Sequence, residues 1–179
     1  MSIREFLGFG ANASHSGSAD TQTVRRIVAT LEAMEPQRAR ALAAFAFILC
    51  RVARADLHVS DEETGAMERI VIERGGLSEE QAILVVQMAK TQNALFGGTE
   101  NFLVTREFDK FATREEKLAL LDCLFAVAAS DESISTAEDN EIARICSELQ
   151  LRHEDLVAGR ARYREYLAVL KKSPPPHAA

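Results

Sequence analysis

RVARADLHVSDEETGAMERIV, residues 51–71, and AVAASDESISTAEDNEIARIC, residues 126–146, are two spellings of one pattern. One constant offset sets Asp56 on Asp131, Val59 on Ile134, Ser60 on Ser135 and Glu63 on Glu138. A match at a fixed period marks a duplicated structural unit. The apolar positions repeat along with the acids. Phe45, Ile48, Leu49 and Val52 before the first turn correspond to Leu120, Cys123, Leu124 and Val127, and Met67, Ile70 and Val71 after it correspond to Ile142, Ile145 and Cys146. Steps of three and four residues place each set on one helical face. Each copy therefore reads as a helix, a short acidic turn and a second helix, with Val59 or Ile134 as an apolar plug that pins the turn to the core.

Outward from the repeat the same periodicity continues, and strand-like alternation is absent. Val24, Ile27, Val28 and Leu31 predict a helix over Thr21–Met34, and Pro36 opens a second reaching about Ala55. Four later helix starts carry the capping-box spelling: Ser60 with Glu63, Ser78 with Gln81, Thr113 with Glu116, and Ser135 with Glu138. Gly75-Gly76 and Gly97-Gly98 read as helix stops, because glycine accepts the left-handed conformation that closes a helix. A last helix is expected over His153–Lys171. The expected architecture is all-α, a compact bundle of about eight helices built round two pseudo-symmetric hairpins, residues 38–77 and 113–151. They sit inside one domain, residues 21–171, between a flexible arm, residues 1–20, and a disordered Pro-rich tail, residues 172–179.

Composition narrows the function. With 47% hydrophobic and 27% charged residues, 179 residues suffice for one core. The formal net charge of -6 opposes nucleic-acid binding and favours cations or basic protein surfaces. Cys50, Cys123 and Cys146 lack metal-finger spacing and fall in apolar helical patterns, which suits reduced thiols of a cytoplasmic protein. The apolar run from Ala41 is broken by Arg51 and Arg54, so no direct membrane insertion is expected. Arg4 and Glu5 lead into a glycine-rich stretch rather than the apolar region of a signal peptide.

With the repeat in view, the chain resembles the tellurite-resistance TerB family. That family's mark is a pair of helix hairpins, each carrying Asp, Gly, any residue, Ile or Val, and a downstream Glu. The resemblance spans roughly Arg38 to Leu151. Its acidic positions fall on Asp56, Glu63, Asp131 and Glu138. It implies an all-helical fold with an acidic, cation-binding patch, a place in stress or metal resistance, and no known catalysis. The chain departs from the pattern where the glycine after each Asp is Leu57 or Glu132. A turn relying on positive φ is strained there.

Each acid also has a plain structural use. Glu63 and Glu138 stand third after a serine and suit capping; Asp56 and Asp131 suit turn closure. If the hairpins pack about a pseudo-twofold axis, all four carboxylates converge, and must then protonate, spread apart or recruit a cation. Oxygen ligands favour Ca²⁺ or Mg²⁺ over Zn²⁺. His58 is expected to be a solvent-facing turn residue, since its counterpart is Ser133. Asp61, Glu62, Asp139 and Glu141 read as solvated acids near helix starts. Phe96, Phe102, Phe108 and Phe111 are expected to seal a core around the Gly97-Gly98 turn, and Arg160, Arg162 and Arg164 form a modest basic patch. Gly8, Gly10 and Ala13 spell a weak dinucleotide pattern without the strand it requires, so no organic cofactor is expected.

Neither HExxH nor paired ExxH spacing occurs, and no nucleophile sits in a recognisable catalytic frame. The expectation is a non-catalytic accessory or sensing protein that binds a divalent cation through Asp56, Asp131, Glu63 and Glu138 and relays to a protein partner. Its rival is a metal-free acidic interaction module docking to proteins, including a membrane protein. An enzymatic reading, carboxylates assisting hydrolysis around a metal, stands third.

Overall fold

The computed structural model describes Ala29, Ala33 and residues 35–171. The Thr21–Met34 helix, the arm and the tail from residue 172 fall outside these, apart from the helical Ala29, Ala33 and the tail-proximal Lys171. Six α-helices follow one another: α1 Pro36–Ala53, α2 Asp61–Gly75, α3 Glu79–Phe111, α4 Arg114–Ala128, α5 Thr136–Glu148 and α6 His153–Arg162. Two 3-10 turns, Arg164–Tyr166 and Ala168–Leu170, complete the described chain. The fold is all-α, as the periodicity predicts.

The predicted helix starts form for the predicted reason. Ser60, Ser78, Thr113 and Ser135 each accept from the amide three residues on, and Glu63, Gln81, Glu116 and Glu138 each accept back from the cap amide. Two orphan donors are satisfied at each end. Gly76, at φ 64, closes α2 in the left-handed conformation.

Helix α1 is central and packs on α2, α3, α4 and α5. It is lined by Leu42, Ala46, Ile48, Leu49 and Val52, all buried. The matched apolar sets from the two hairpins meet in this core: Ile48, Leu49, Val52, Met67 and Val71 from the first, and Leu120, Leu124, Val127, Ile142 and Ile145 from the second, are each at most 1% exposed or fully buried. The three cysteines are buried, unpaired thiols.

Two expected boundaries move. Gly97-Gly98 does not end a helix, because α3 runs through it. Val86, Ala89 and Asn93 before the pair and Thr105 and Phe108 after it are all buried and keep one helical register. Packing on α1 along this length outweighs a penalty of about 1 kcal/mol per glycine. The phenylalanines consequently do not gather round a turn. Phe102 is exposed with the Arg106 guanidinium 5.4 Å from its ring centre, whereas Phe108 is buried and meets Phe111 edge-on at 5.5 Å. The side chain of Phe96 is outside the described residues.

The last α-helix ends at Arg162 rather than Lys171. Tyr163 leaves helical geometry to stack on Phe125, with ring centres 5.6 Å apart. The chain then lies along the second acidic turn, where the Ile134 amide donates to Tyr166 O at 2.7 Å and the Ala168 amide donates to Ile134 O at 2.9 Å. Backbone pairing with Ile134 takes the place of a further turn of helix.

Candidate functional site

The two acidic turns have the same local construction. In the first, the Leu57 amide donates to Arg54 O at 2.9 Å and the His58 amide to Asp56 Oδ1 at 3.0 Å. In the second, the Glu132 amide donates to Ala129 O at 3.0 Å and the Ser133 amide to Asp131 Oδ1 at 3.0 Å. Each aspartate closes its turn by accepting from the amide two residues on. Leu57 and Glu132 occupy positive φ, 71° and 66°. These are the positions where the family pattern carries glycine, so the turn keeps a left-handed residue and bears the strain of a side chain there.

Past each turn the chain re-enters the core through Val59 or Ile134 and starts its helix on a buried glutamate. Glu63 and Glu138 are each only 4% exposed. Glu63 Oε2 accepts from the Ser60 amide at 2.7 Å and from Ser60 Oγ at 2.9 Å; Glu138 Oε2 accepts from the Ser135 amide at 2.8 Å. The two carboxyl groups also face each other within hydrogen-bonding reach, and Asp131 of the second turn bears electrostatically on Glu63. Sequence-distant hairpins thus bring their acids to one place.

That place is unfavourable for negative charge. Burial first, and then the facing Glu63, push the Glu138 carboxyl up to about 7, against the bonds from Ser135 that favour its ionised form. Burial likewise raises Glu63, with the Ser60 bonds opposing and Asp131 adding to the rise. Among the described residues neither glutamate takes part in an ion pair, since the ion pairs lie elsewhere. Two carboxyls so placed hold a proton between them or gain from a cation alongside.

Of the four predicted acids, Glu63 and Glu138 meet, Asp131 lies near them, and Asp56 is exposed on the first turn with the His58 amide as its partner. His58 is exposed, as its lack of a counterpart suggests. Among the described residues no three His, Cys, Asp or Glu side chains are near enough to enclose a metal ion on their own. The donors present are carboxylate oxygens, which suit a hard cation completed by water and backbone carbonyls.

Other charged residues take roles that a linear reading misses. Glu141, expected to be solvated, is buried at 9% exposure and accepts from Arg51 Nε at 2.5 Å. Arg51, at 3% exposure, also donates from Nη1 to Thr105 Oγ1 at 2.8 Å and from both terminal nitrogens to Glu148 at 2.6 and 2.9 Å. Burial works against its charge, and Glu148 and Glu141 more than restore it. The signal was a lone arginine among Ile48, Leu49, Cys50, Val52 and Ala53. A charge inside an apolar helix needs acidic partners from elsewhere in the chain. Arg160 and Arg162 are not a free basic patch, because they pair with Asp139 and Asp122 at 2.7 and 2.9 Å.

Fold and site together define an all-helical protein in which two helix hairpins set buried glutamates against each other beneath strained acidic turns. The family model described as tellurite resistance protein TerB matches residues 41–161, and the chain belongs to that family. No curated protein and no solved structure matches the chain significantly.

Proposed function

We propose that this chain is a non-catalytic accessory protein of tellurite or stress resistance, acting in the cytoplasm, that binds a divalent cation beside its facing acidic hairpins and relays the bound state to a protein partner. The observation that carries this reading is the meeting of Glu63 and Glu138, buried and without a cationic side chain among their described ion-pair partners. A cation alongside removes the cost of two negative charges in one buried place, which couples its binding to how tightly the hairpins close. Asp131 and Asp56 are the exposed acids through which the ion enters. An all-oxygen donor set favours Ca²⁺ or Mg²⁺ over Zn²⁺.

The test is calorimetric titration of the demetallated protein with Ca²⁺, Mg²⁺ and Zn²⁺, beside an Asp56→Asn, Asp131→Asn variant shown by circular dichroism to be folded. Saturable binding of Ca²⁺ or Mg²⁺, weakened at least about tenfold in the variant, is the expected result. Absence of binding to the native chain discards the cation reading.

A second reading has its own support. Every one of the four acids already has a backbone partner, as a cap or a turn closure. On that footing the acidic turns are a metal-free docking surface for a basic protein, including a membrane-protein partner. Partner binding that falls on neutralising Asp56 and Asp131 while metal content stays at zero selects it.

A further inference from the structure

Beside the first acidic turn a polar pocket of about 290 Å³ opens between α1, α3 and α5. Arg51, Arg54, Asn93, Asn101, Glu141 and Arg144 are among the residues lining it, and neither Glu63 nor Glu138 is. Glu141, its one carboxylate, is held on both sides, by Arg51 Nε at 2.5 Å and Arg144 Nη1 at 3.0 Å. Arg51 is in turn committed to Glu141 and Glu148. Arg54 takes part in no ion pair among the described residues, which leaves the group with an excess of positive charge. Asn93 is only 6% exposed, yet its Nδ2 reaches Asn101 Oδ1 at 3.5 Å, the outer limit of a hydrogen bond. Among the described residues this long contact occupies one of the two Asn93 amide hydrogens, at a polar pocket beside the Arg54 guanidinium.

We propose that this pocket binds a small tetrahedral oxyanion of the phosphate type, gripped by Arg54 and Arg144 with Asn93 and Asn101 as amide donors. Donors arriving from three helices match an anion with oxygens in several directions better than a planar carboxylate. The pocket has room for a bare phosphate or for one carried on a small molecule. It is distinct from the carboxyl pair, and its success or failure is independent of cation binding.

The full chain is titrated with inorganic phosphate and with glycerol 3-phosphate at low ionic strength, followed by calorimetry and backbone amide NMR. Saturable binding is expected, with shifts centred on Arg54, Asn93, Asn101 and Arg144. Arg54→Gln weakens it at least about tenfold, Arg54→Lys restores part of the loss, and Arg164→Gln, outside the pocket, changes it less than about twofold. Tighter binding of the ester identifies a phosphorylated small molecule as the ligand, and tighter binding of the free ion identifies phosphate itself; either supports the site. No saturable binding, or an equal loss in Arg54→Gln and Arg164→Gln, overturns it.

Discussion

At the scale of single residues, Glu138 does two jobs. Its Oε2 completes the Ser135 cap, and its carboxyl faces Glu63 in the core. Burial and the facing Glu63 raise it to about 7 from an ordinary 4.5. The folded state therefore holds this proton more tightly than the unfolded chain does. The resulting stability is fully present below about pH 4.5 and is lost as pH rises towards about 7. Glu138→Gln keeps the cap acceptor and removes the titration. Between pH 5 and pH 8, in the presence of chelator, the stability of the variant relative to the native chain is expected to rise by about 2 kcal/mol, read from urea unfolding. A difference that stays flat with pH would mean that folding does not raise the Glu138 carboxyl. Leu57 and Glu132 teach the complementary point, because the backbone holds both at positive φ despite their side chains. The turn's shape is set by the Asp closures and the capped helices on either side, not by the residue at its apex.

At the scale of elements, helix starts follow local chemistry and helix ends do not. All four Ser or Thr boxes form where the spelling places them. Gly76 ends α2, whereas Gly97-Gly98 is carried through by α3. Caps are satisfied within three residues, while continuation past a glycine depends on what the helix packs against. Gly159 shows tertiary demand in the opposite sense. A Cβ at this position would lie 2.6 Å from Phe125 Cε2, so α6 rests on α4 through a bare backbone. Gly159→Ala must push the ring or the helix aside and disturb the Phe125–Tyr163 stack behind it. A loss of about 1–3 kcal/mol is expected in chemical denaturation, despite alanine's better helix propensity. A gain in stability would show that the ring yields freely.

At the scale of the whole molecule, Arg51 joins three helices that are far apart in sequence. From α1 it binds Thr105 on α3 and Glu141 and Glu148 on α5. Removing it takes from Glu148 its guanidinium fork and leaves Glu141 with Arg144 alone, which costs more than the network gains when intact. Arg51→Ala is expected to lose about 3–5 kcal/mol in urea unfolding, and Arg51→Lys to recover only part, since a single ammonium cannot reproduce the fork to Glu148. A loss below about 1 kcal/mol would place the network on the surface in solution. The second hairpin is also tied down from outside by the 3-10 segment bonded to Ile134 and by Lys171 Nζ, which donates to Glu132 O.

The helical class, the capped helix starts and most of the apolar positions that enter the core are legible in the linear pattern. All of these rest on neighbours within a few residues or on a period that a linear pattern displays. It also marked Asp56, Glu63, Asp131 and Glu138, and correctly left His58 in solvent. Tertiary structure alone decided that Glu63 and Glu138 touch while Asp56 stays apart, that Glu141 is buried under Arg51, and that the chain after Arg162 abandons its helix to pair with Ile134. Those outcomes turn on which surfaces come together across long stretches of chain, and charge burial takes its energy from partners that no local spacing reveals.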